Sequence, residues 1–449
     1  MVTTLTSDMN ETILVPFQGD GGGVDTLSWG QCEIWRPMMA VGSSFPLGAT
    51  YPAPPGTTVA SVADMLRFVV SRHQSLRTRI VTDADGTPRQ HVATSGSVPL
   101  EVVHTTGDEP AAAEAARLLE RFAYTNFDYP REWPVRMGVV LDNGVAAHVV
   151  AAYSHVATDV YGLDALVADV IAGDAGVIGI SPLAQVRQQR TPAARRQNAM
   201  ALRHAEKVLH TIPSRRFRES TDPRQPRWWQ IGYHSPASYL AVRAIAARNK
   251  VPTTPVLLAG FAVALYRVTG TDVTATRLLV NNRFRPGFAT SVSPLAQSNV
   301  AAIQVANSMF DEVVSRAWRA MMLAGRYSYF DPDQMAELVA EVSRERGEDA
   351  HVDVSFNDRR RTHLATPPLD TLPTESELAA ARERATIRWE PPLDTYDHTA
   401  YFSVNDVPDA LDYLLCADTH RLSPDEMESL VRHVEDVFVA AALDPVATD

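Results

Sequence analysis

The sequence predicts an α/β protein of two lobes. Three observations carry this expectation. The chain has 449 residues, more than one hydrophobic core usually serves. Amphipathic helical spacing alternates with short apolar runs of strand length. The mixture of helices and strands in the first half recurs in the second.

In order along the chain, residues 1 to about 26 look like a mobile lead-in, with a glycine cluster from Gly19 to Gly23. Val59 to His73 predicts a helix, because Val59, Val62, Met65, Leu66, Val69 and Val70 fall at helical spacing. Arg79–Val81 and Gln90–Val92 flank Asp83–Pro88, whose Asp-Gly pair is a turn signal, so a hairpin is expected. Ala111 to Tyr124 is an alanine-rich helix. Val135–Leu141 and Val145–Tyr153 are apolar runs of buried-strand type, and a helix-like segment follows at Leu163–Ile171.

Residues 187–227 hold eleven Arg or Lys against three acids, Glu206, Glu219 and Asp222, with four prolines as punctuation. This stretch is read as a connection between lobes, carrying a helix from about Ala193 to Leu209. In the second half, Pro236–Asn249 and Thr254–Val268 are apolar helices, and Val273–Asn281 is a strand. Phe310–Leu323 is a helix, Val352–Phe356, Thr399–Val404 and Leu411–Leu415 are strands, and Pro424–Ala441 is a closing helix. Residues 361–397, rich in proline and charge, look like a long excursion. The expected organisation is a first lobe over 1–180, a connection over 181–230 and a second lobe over 231–449.

Apolar residues at 45% and charged residues at 21% are ordinary for a globular protein. A net charge of -12 argues against general nucleic-acid binding, which needs a basic footprint. The two cysteines, Cys32 and Cys416, form no metal-ligand or disulfide pattern. Residues 1–10 lack a basic region followed by an apolar core, so no secretory signal is expected, and no apolar run approaches the ~18 residues of a membrane span. A cytoplasmic monomer is the expectation.

The chemistry concentrates in Ala151-Ala-Tyr-Ser-His-Val-Ala-Thr-Asp-Val-Tyr-Gly162. His155 leaves the end of a buried strand, four residues before Asp159. Imidazole has the ordinary pKa best suited to moving protons near neutrality. His148, on the same strand, is read as structural. Ser154 invites a Ser-His-Asp reading, but neighbours on an extended strand point to opposite faces, and the Gly-x-Ser-x-Gly elbow is missing. No third ligand stands at a useful spacing for His155 and Asp159 to hold a metal.

This stretch resembles the His-His-x-x-x-Asp-Gly signature of nonribosomal peptide synthetase condensation domains, a superfamily that includes chloramphenicol acetyltransferase-like acyltransferases. Ser154 stands at the first histidine and Val160 at the glycine, while His155 and Asp159 match. Other segments agree in order. Ser28-Trp-Gly-Gln-Cys-Glu-Ile-Trp35 is similar to the first family motif, and Arg72-His-Gln-Ser-Leu-Arg-Thr78 to the second. Phe127-Asp128 and Pro134-Val-Arg136 precede the site strand as in the family. Asn299-Val-Ala-Ala-Ile-Gln-Val305 resembles a later motif, with Leu295 and Gln297 in place of its preceding Gly and Phe.

The resemblance implies two chloramphenicol acetyltransferase-like lobes in a V-shape around a central tunnel, with a floor loop near 281–300 and a latch within 361–398. It implies that His155 positions the acceptor or takes its proton. It makes Asp159 a structural partner of Arg136, where the bare residues also allow a carboxylate that orients His155 as in a triad. It places Ser154, Tyr161, Gly162, Asn282, Arg283 and Asn299 along the substrate path, with Gly162 leaving room for a pantetheine arm or simply opening a helix. The implied activity is a free-standing acyltransferase that moves an acyl or aminoacyl group from a carrier-protein thioester to an amine. No permanently bound cofactor or metal is implied; the donor rides on the phosphopantetheine of an acyl or peptidyl carrier protein, or on coenzyme A. Two alternatives stand beside it: an ester-forming enzyme with an alcohol acceptor, and a catalytically inactive domain that recruits a partner enzyme. The basic 187–227 stretch is read as a solvated inter-lobe face, with an acidic carrier as its alternative partner.

Overall fold

The computed structural model describes residues 4–7, 10–105, 110–213, 216–218, 220, 222–361, 371–444 and 448. The chain divides into two compact units, residues 1–196 with 281–297, and residues 197–280 with 298–449. The first boundary thus falls inside a helix rather than near residue 180, and the 181–230 connection is shared between the units. The segment 281–297 departs from its sequence neighbours and belongs to the first unit.

The first unit contains β1 (Thr4–Ser7), β2 (Asn10–Gln18), β3 (Gly23–Thr26), α1 (Trp29–Val41), β4 (Leu47–Pro52), α2 (Val59–Arg72), β5 (Thr78–Thr82) and β6 (Pro88–Val92). It continues with β7 (Ser95–His104), α3 (Ala111–Tyr124), β8 (Val135–Asp142), β9 (Val145–Tyr153), α4 (Val160–Ala172), α5 (Pro182–Gln189) and the start of α6 (Pro192–Leu209). Its main sheet runs β1-β2-β7-β8-β9-β4, and β3-β6-β5 form a separate three-stranded sheet. The lead-in expected to be mobile is therefore corrected: β2 is a strand of the main sheet, with Val15 and Phe17 buried in its core.

Only β7 and β8 pair in parallel within the main sheet, and α3 supplies the crossover that parallel pairing demands. One sheet face packs Leu66, Val69 and Val70 of α2 and Leu166 of α4 against Leu100, Met137 and Ala151. The other face packs Leu118 and Phe122 of α3 against Val140, Val150 and Ala152. Strands covered on both faces have nothing to gain from polar alternation, which explains the continuous apolar runs of β8 and the latter half of β9.

The second unit has the rest of α6, β10 (Trp228–Ser235), α7 (Pro236–Asn249), α8 (Thr253–Thr269), β11 (Val273–Val280), β12 (Gln297–Gln304), α9 (Phe310–Tyr327) and α10 (Pro332–Arg346). It ends with β13 (Val354–Asp358), α11 (Glu375–Arg382), β14 (Thr386–Leu393), β15 (Ala400–Val407), β16 (Ala410–Asp418) and α12 (Pro424–Leu443). Its sheet order is β12-β11-β13-β15-β16-β10-β14. The core joins Phe261 of α8 and Phe438 of α12 to Phe356, Phe402 and Tyr413 of the sheet. Of the segment read as a latch, residues 362–370 lie outside the described residues. Within the same segment, β14 is an edge strand of the second unit's sheet, antiparallel to β10. Among the described residues no single helix is long and apolar enough to cross a membrane.

Candidate active site

β9 ends at Tyr153, and Ser154 to Thr158 form the loop that leads into α4. Asp159 is the N-cap of that helix, its Oδ1 accepting the Gly162 N–H at 2.8 Å. A carboxylate there satisfies an orphan N–H and meets the positive end of the helix dipole. The sequence motif is thus a strand exit plus a helix cap, which fixes the loop between them.

Asp159 is 3% exposed, and its burial is compensated by an arginine. That arginine is Arg283, not Arg136. The Arg283 Nη1 donates to Oδ2 at 2.9 Å, and Nη2 lies 2.8 Å from Oδ1. The Leu295 and Ala296 N–H groups add bonds to Oδ2 at 2.9 and 3.1 Å. Arg283 Nη2 also donates to the carbonyls of Ser291 and Ser293, each at 3.1 Å. The expected Asp159–Arg136 pair is corrected for a simple reason: Arg136 is already saturated. Its guanidinium contacts both oxygens of Glu132 at 2.7 and 3.0 Å, donates to the carbonyls of Phe122, Thr125 and Asn126, and stacks 4.0 Å over Phe127. It secures the turn after α3.

Gly162 has a structural reason to lack a side chain. A Cβ there would sit 2.3 Å from Thr158 Oγ1 and 3.1 Å from Arg283 Nη2, so the glycine lets the helix close on the ion pair. The Tyr161 ring lies 5.9 Å beneath the Arg283 guanidinium. Asn282, with φ at 58°, donates to the Leu295 carbonyl at 2.9 Å and accepts from Arg285 Nε at 3.1 Å. Asparagine tolerates that left-handed backbone better than most residues. The structure therefore joins Asp159, Tyr161, Gly162, Asn282 and Arg283 in one assembly. Asn299 belongs to β12 of the second unit, buried, with neither amide atom bonded to another described group.

His155 is partly buried, its N–H bonded to the Ser44 carbonyl at 3.2 Å. Its Nδ1 is buried, and no described group hydrogen-bonds it. Burial holds the imidazole pKa below its ordinary value, and the backbone of His155 and Thr158 and the Asp159 charge only partly oppose this. The ring is therefore neutral at pH 7, with proton-accepting capacity available. Ser154 is fully buried and bonded to the Tyr129 hydroxyl at 2.8 Å. Burial also raises the Tyr129 pKa, so the phenol stays protonated. Ser154 is thus engaged away from the imidazole.

Sequence reasoning missed how the other motifs serve this loop. Ser28 and Gln31 form the capping box of α1, and a Cβ on Gly30 would lie 2.0 Å from the Pro294 carbonyl oxygen. Ser75 Oγ donates to the Val292 carbonyl at 2.5 Å. Arg72 and His73 both bond Asp169 near the end of α4, Arg72 through two contacts at 2.8 and 3.0 Å and His73 at 3.0 Å. Burial lowers the His73 pKa, the nearby Asp169 charge opposing it incompletely. Both motifs therefore hold either α4 or residues 291–296. The signal available in sequence was the Ser-x-x-Gln capping box; the pairing of Arg72 with Asp169 had none. Among the described residues, no group of three or more His, Cys, Asp or Glu is placed to hold a metal ion.

No family model matches the sequence. The AMB antimetabolite synthetase AmbB of Pseudomonas aeruginosa is 29% identical over 234 residues, which is 48% of this chain and 18% of that protein. The match thus spans less than a fifth of its curated relative. The condensation domain from the monacolin K polyketide synthase MokA superposes with a TM-score of 0.70 at 14% identity, covering 95% of this chain and 99% of that one. The X-domain in the complex of X-domain and OxyB from teicoplanin biosynthesis does so with a TM-score of 0.66 at 18% identity, covering 93% of each. Two α/β units, a His155 loop capped by Asp159, and agreement over nearly the whole length of these neighbours lead to one conclusion: the chain has the condensation-domain fold.

Proposed function

We propose that this chain is a condensation-type acyltransferase of natural-product biosynthesis. It takes an acyl or aminoacyl group from the phosphopantetheine thioester of a carrier protein and passes it to an amine, forming an amide. The observation that carries this reading is His155, a ring kept neutral by burial on a loop that the Asp159–Arg283 pair holds rigid. The acceptor nitrogen attacks the thioester carbonyl carbon, a C–N bond forms and the C–S bond breaks. The proton shed by nitrogen passes to His155 and on to the leaving thiolate. An imidazole with lowered proton affinity suits such a relay, because it accepts and releases without trapping charge. Fixing the loop serves orientation, which contributes as much as proton transfer when two substrates must meet in line.

The condensation-domain fold and the likeness to part of an antimetabolite synthetase support this setting. The test is to offer the full chain a carrier protein loaded with an aminoacyl group, or the matching coenzyme A thioester, together with an amine or an alcohol. Amide formed from the loaded carrier is expected. Ester formed from coenzyme A, with the carrier inert, would move the assignment to the ester-forming class.

A second reading is recruitment of a partner enzyme, favoured by Ser154 in place of the first motif histidine and its burial against Tyr129. The teicoplanin X-domain, of the same fold, is found in complex with OxyB. No transfer from any donor, alongside stable binding of a tailoring enzyme, would favour that reading.

A further inference from the structure

The three-stranded sheet carries a feature that the His155 loop does not use. Register aligns Val24 of β3, His91 of β6 and Arg79 of β5 in one cross-strand row. Val81 follows Arg79 on the same face, two residues on along β5. With Pro130 and Trp133 from the segment before β8, these residues line a concave pocket of about 320 Å³. That size is at the small end of the ~300–1,000 Å³ range of ligand pockets.

The Arg79 guanidinium lies 4.0 Å over the Trp133 ring and makes no hydrogen bond or ion pair with any described group; its Nε is fully buried. Arg79 is half-buried, with only Nε fully enclosed, whereas Arg77, Arg89 and Arg72 are all bonded to protein oxygens. Trp133 is a rigid platform. Its Nε1 donates to the Ser97 carbonyl at 2.8 Å, Phe17 packs edge-on at 5.2 Å, and a Cβ on Gly96 would lie 2.9 Å from the ring. The cation is therefore held in place before any ligand arrives, with its donor fork unclaimed. Apart from His91, the remaining wall is apolar, from Val24, Val81, Val92, Ala93 and Pro130, and no carboxylate lines it.

We propose that this pocket binds a small carboxylic acid with an apolar body, its carboxylate on Arg79 and its hydrocarbon against Trp133 and the valines. A carboxylate matches the planar guanidinium by two parallel bonds, and the apolar wall disfavours a fully hydrated anion such as phosphate.

The test is calorimetric titration of the full chain with hexanoate, hexanol, hexylammonium and inorganic phosphate. Hexanoate is expected to bind with a Kd of about 1 mM or tighter, and the other three much more weakly. Arg79→Gln is expected to weaken hexanoate by about 10- to 100-fold, the effect of losing a charge-assisted bond. Val24→Trp fills the pocket from an exposed position while keeping the Arg79 side chain, and is expected to abolish binding while leaving the melting temperature close to the parent's. Undetectable hexanoate binding by the parent, equal binding of hexanol, tighter binding of phosphate, or unchanged affinity in folded Arg79→Gln or Val24→Trp would each overturn the proposal.

Discussion

Asp159 and Arg283 stand 124 positions apart in sequence, yet their side chains meet at two points inside the first unit. Neither has an independent reason to be buried. Each compensates the other's lost hydration, and together they bond the backbone from Ser291 to Ala296. The His155 loop and residues 281–297 are thereby made one structure.

Asp159→Ala strands the Arg283 charge and three backbone N–H groups, those of Gly162, Leu295 and Ala296. It is expected to lower folding stability by about 3–5 kcal/mol, measured by denaturant unfolding. A double-mutant cycle identifies the partner. Asp159→Ala and Arg283→Ala should be coupled by ~0.5–3 kcal/mol, whereas Asp159→Ala and Arg136→Ala should add to within ~0.5 kcal/mol. Coupling to Arg136 instead would refute the ion pair.

Gly162→Ala places a methyl group 2.3 Å from Thr158 Oγ1. We expect a loss of ~1–3 kcal/mol from overpacking, visible as a lower melting temperature. Thr158→Ala added to it removes the nearer clash and should recover part of that loss; a double variant no better than the single one would dismiss the explanation.

Ser154→Ala removes the bond to Tyr129 and should cost about 1 kcal/mol of stability, with the transfer rate close to the parent's. A collapse in rate with stability intact would give Ser154 a part in the chemistry that its orientation does not suggest.

Acid should weaken the fold before any carboxylate titrates. His73 and His155 both have pKa values lowered by burial, so the unfolded chain takes up their protons first as pH falls. Their contribution is complete above the unfolded imidazole value of about 6.5 and is lost as pH falls through the folded values. The denaturant midpoint should therefore begin to drop as pH falls below about 6.5. Any transfer activity should rise with pH through the lowered His155 pKa and level off by neutrality. A midpoint that increases on acidification would contradict both burial assignments.

Local signals were legible in sequence where the physics is local. The helix from Val59 and the hairpin around Asp83–Pro88 need only spacing and turn chemistry, and the structure has both. The strand into His155 announced itself because both of its faces are covered. The strand at Asn10–Gln18 was hidden by its neighbourhood: glycines follow it, and Pro16 within it argues against a sheet interior. Choosing between Arg136 and Arg283 lay beyond any pattern in the chain, because the answer depends on where 281–297 folds. The resemblance supplied the wrong partner, and the competing claim of Glu132 on Arg136 shows why. Arg79 was read only as part of a strand, since an unpaired guanidinium has no sequence signature.

The central claim is that His155 handles the acceptor's proton. Its most direct test compares amide formation from an aminoacyl-loaded carrier protein by the parent and by His155→Ala, with melting temperature as the control for folding. The account predicts an unchanged melt and a rate reduced by about 10²–10⁴, the usual worth of a positioned general base. A folded His155→Ala protein that transfers the aminoacyl group at the parent's rate would contradict it.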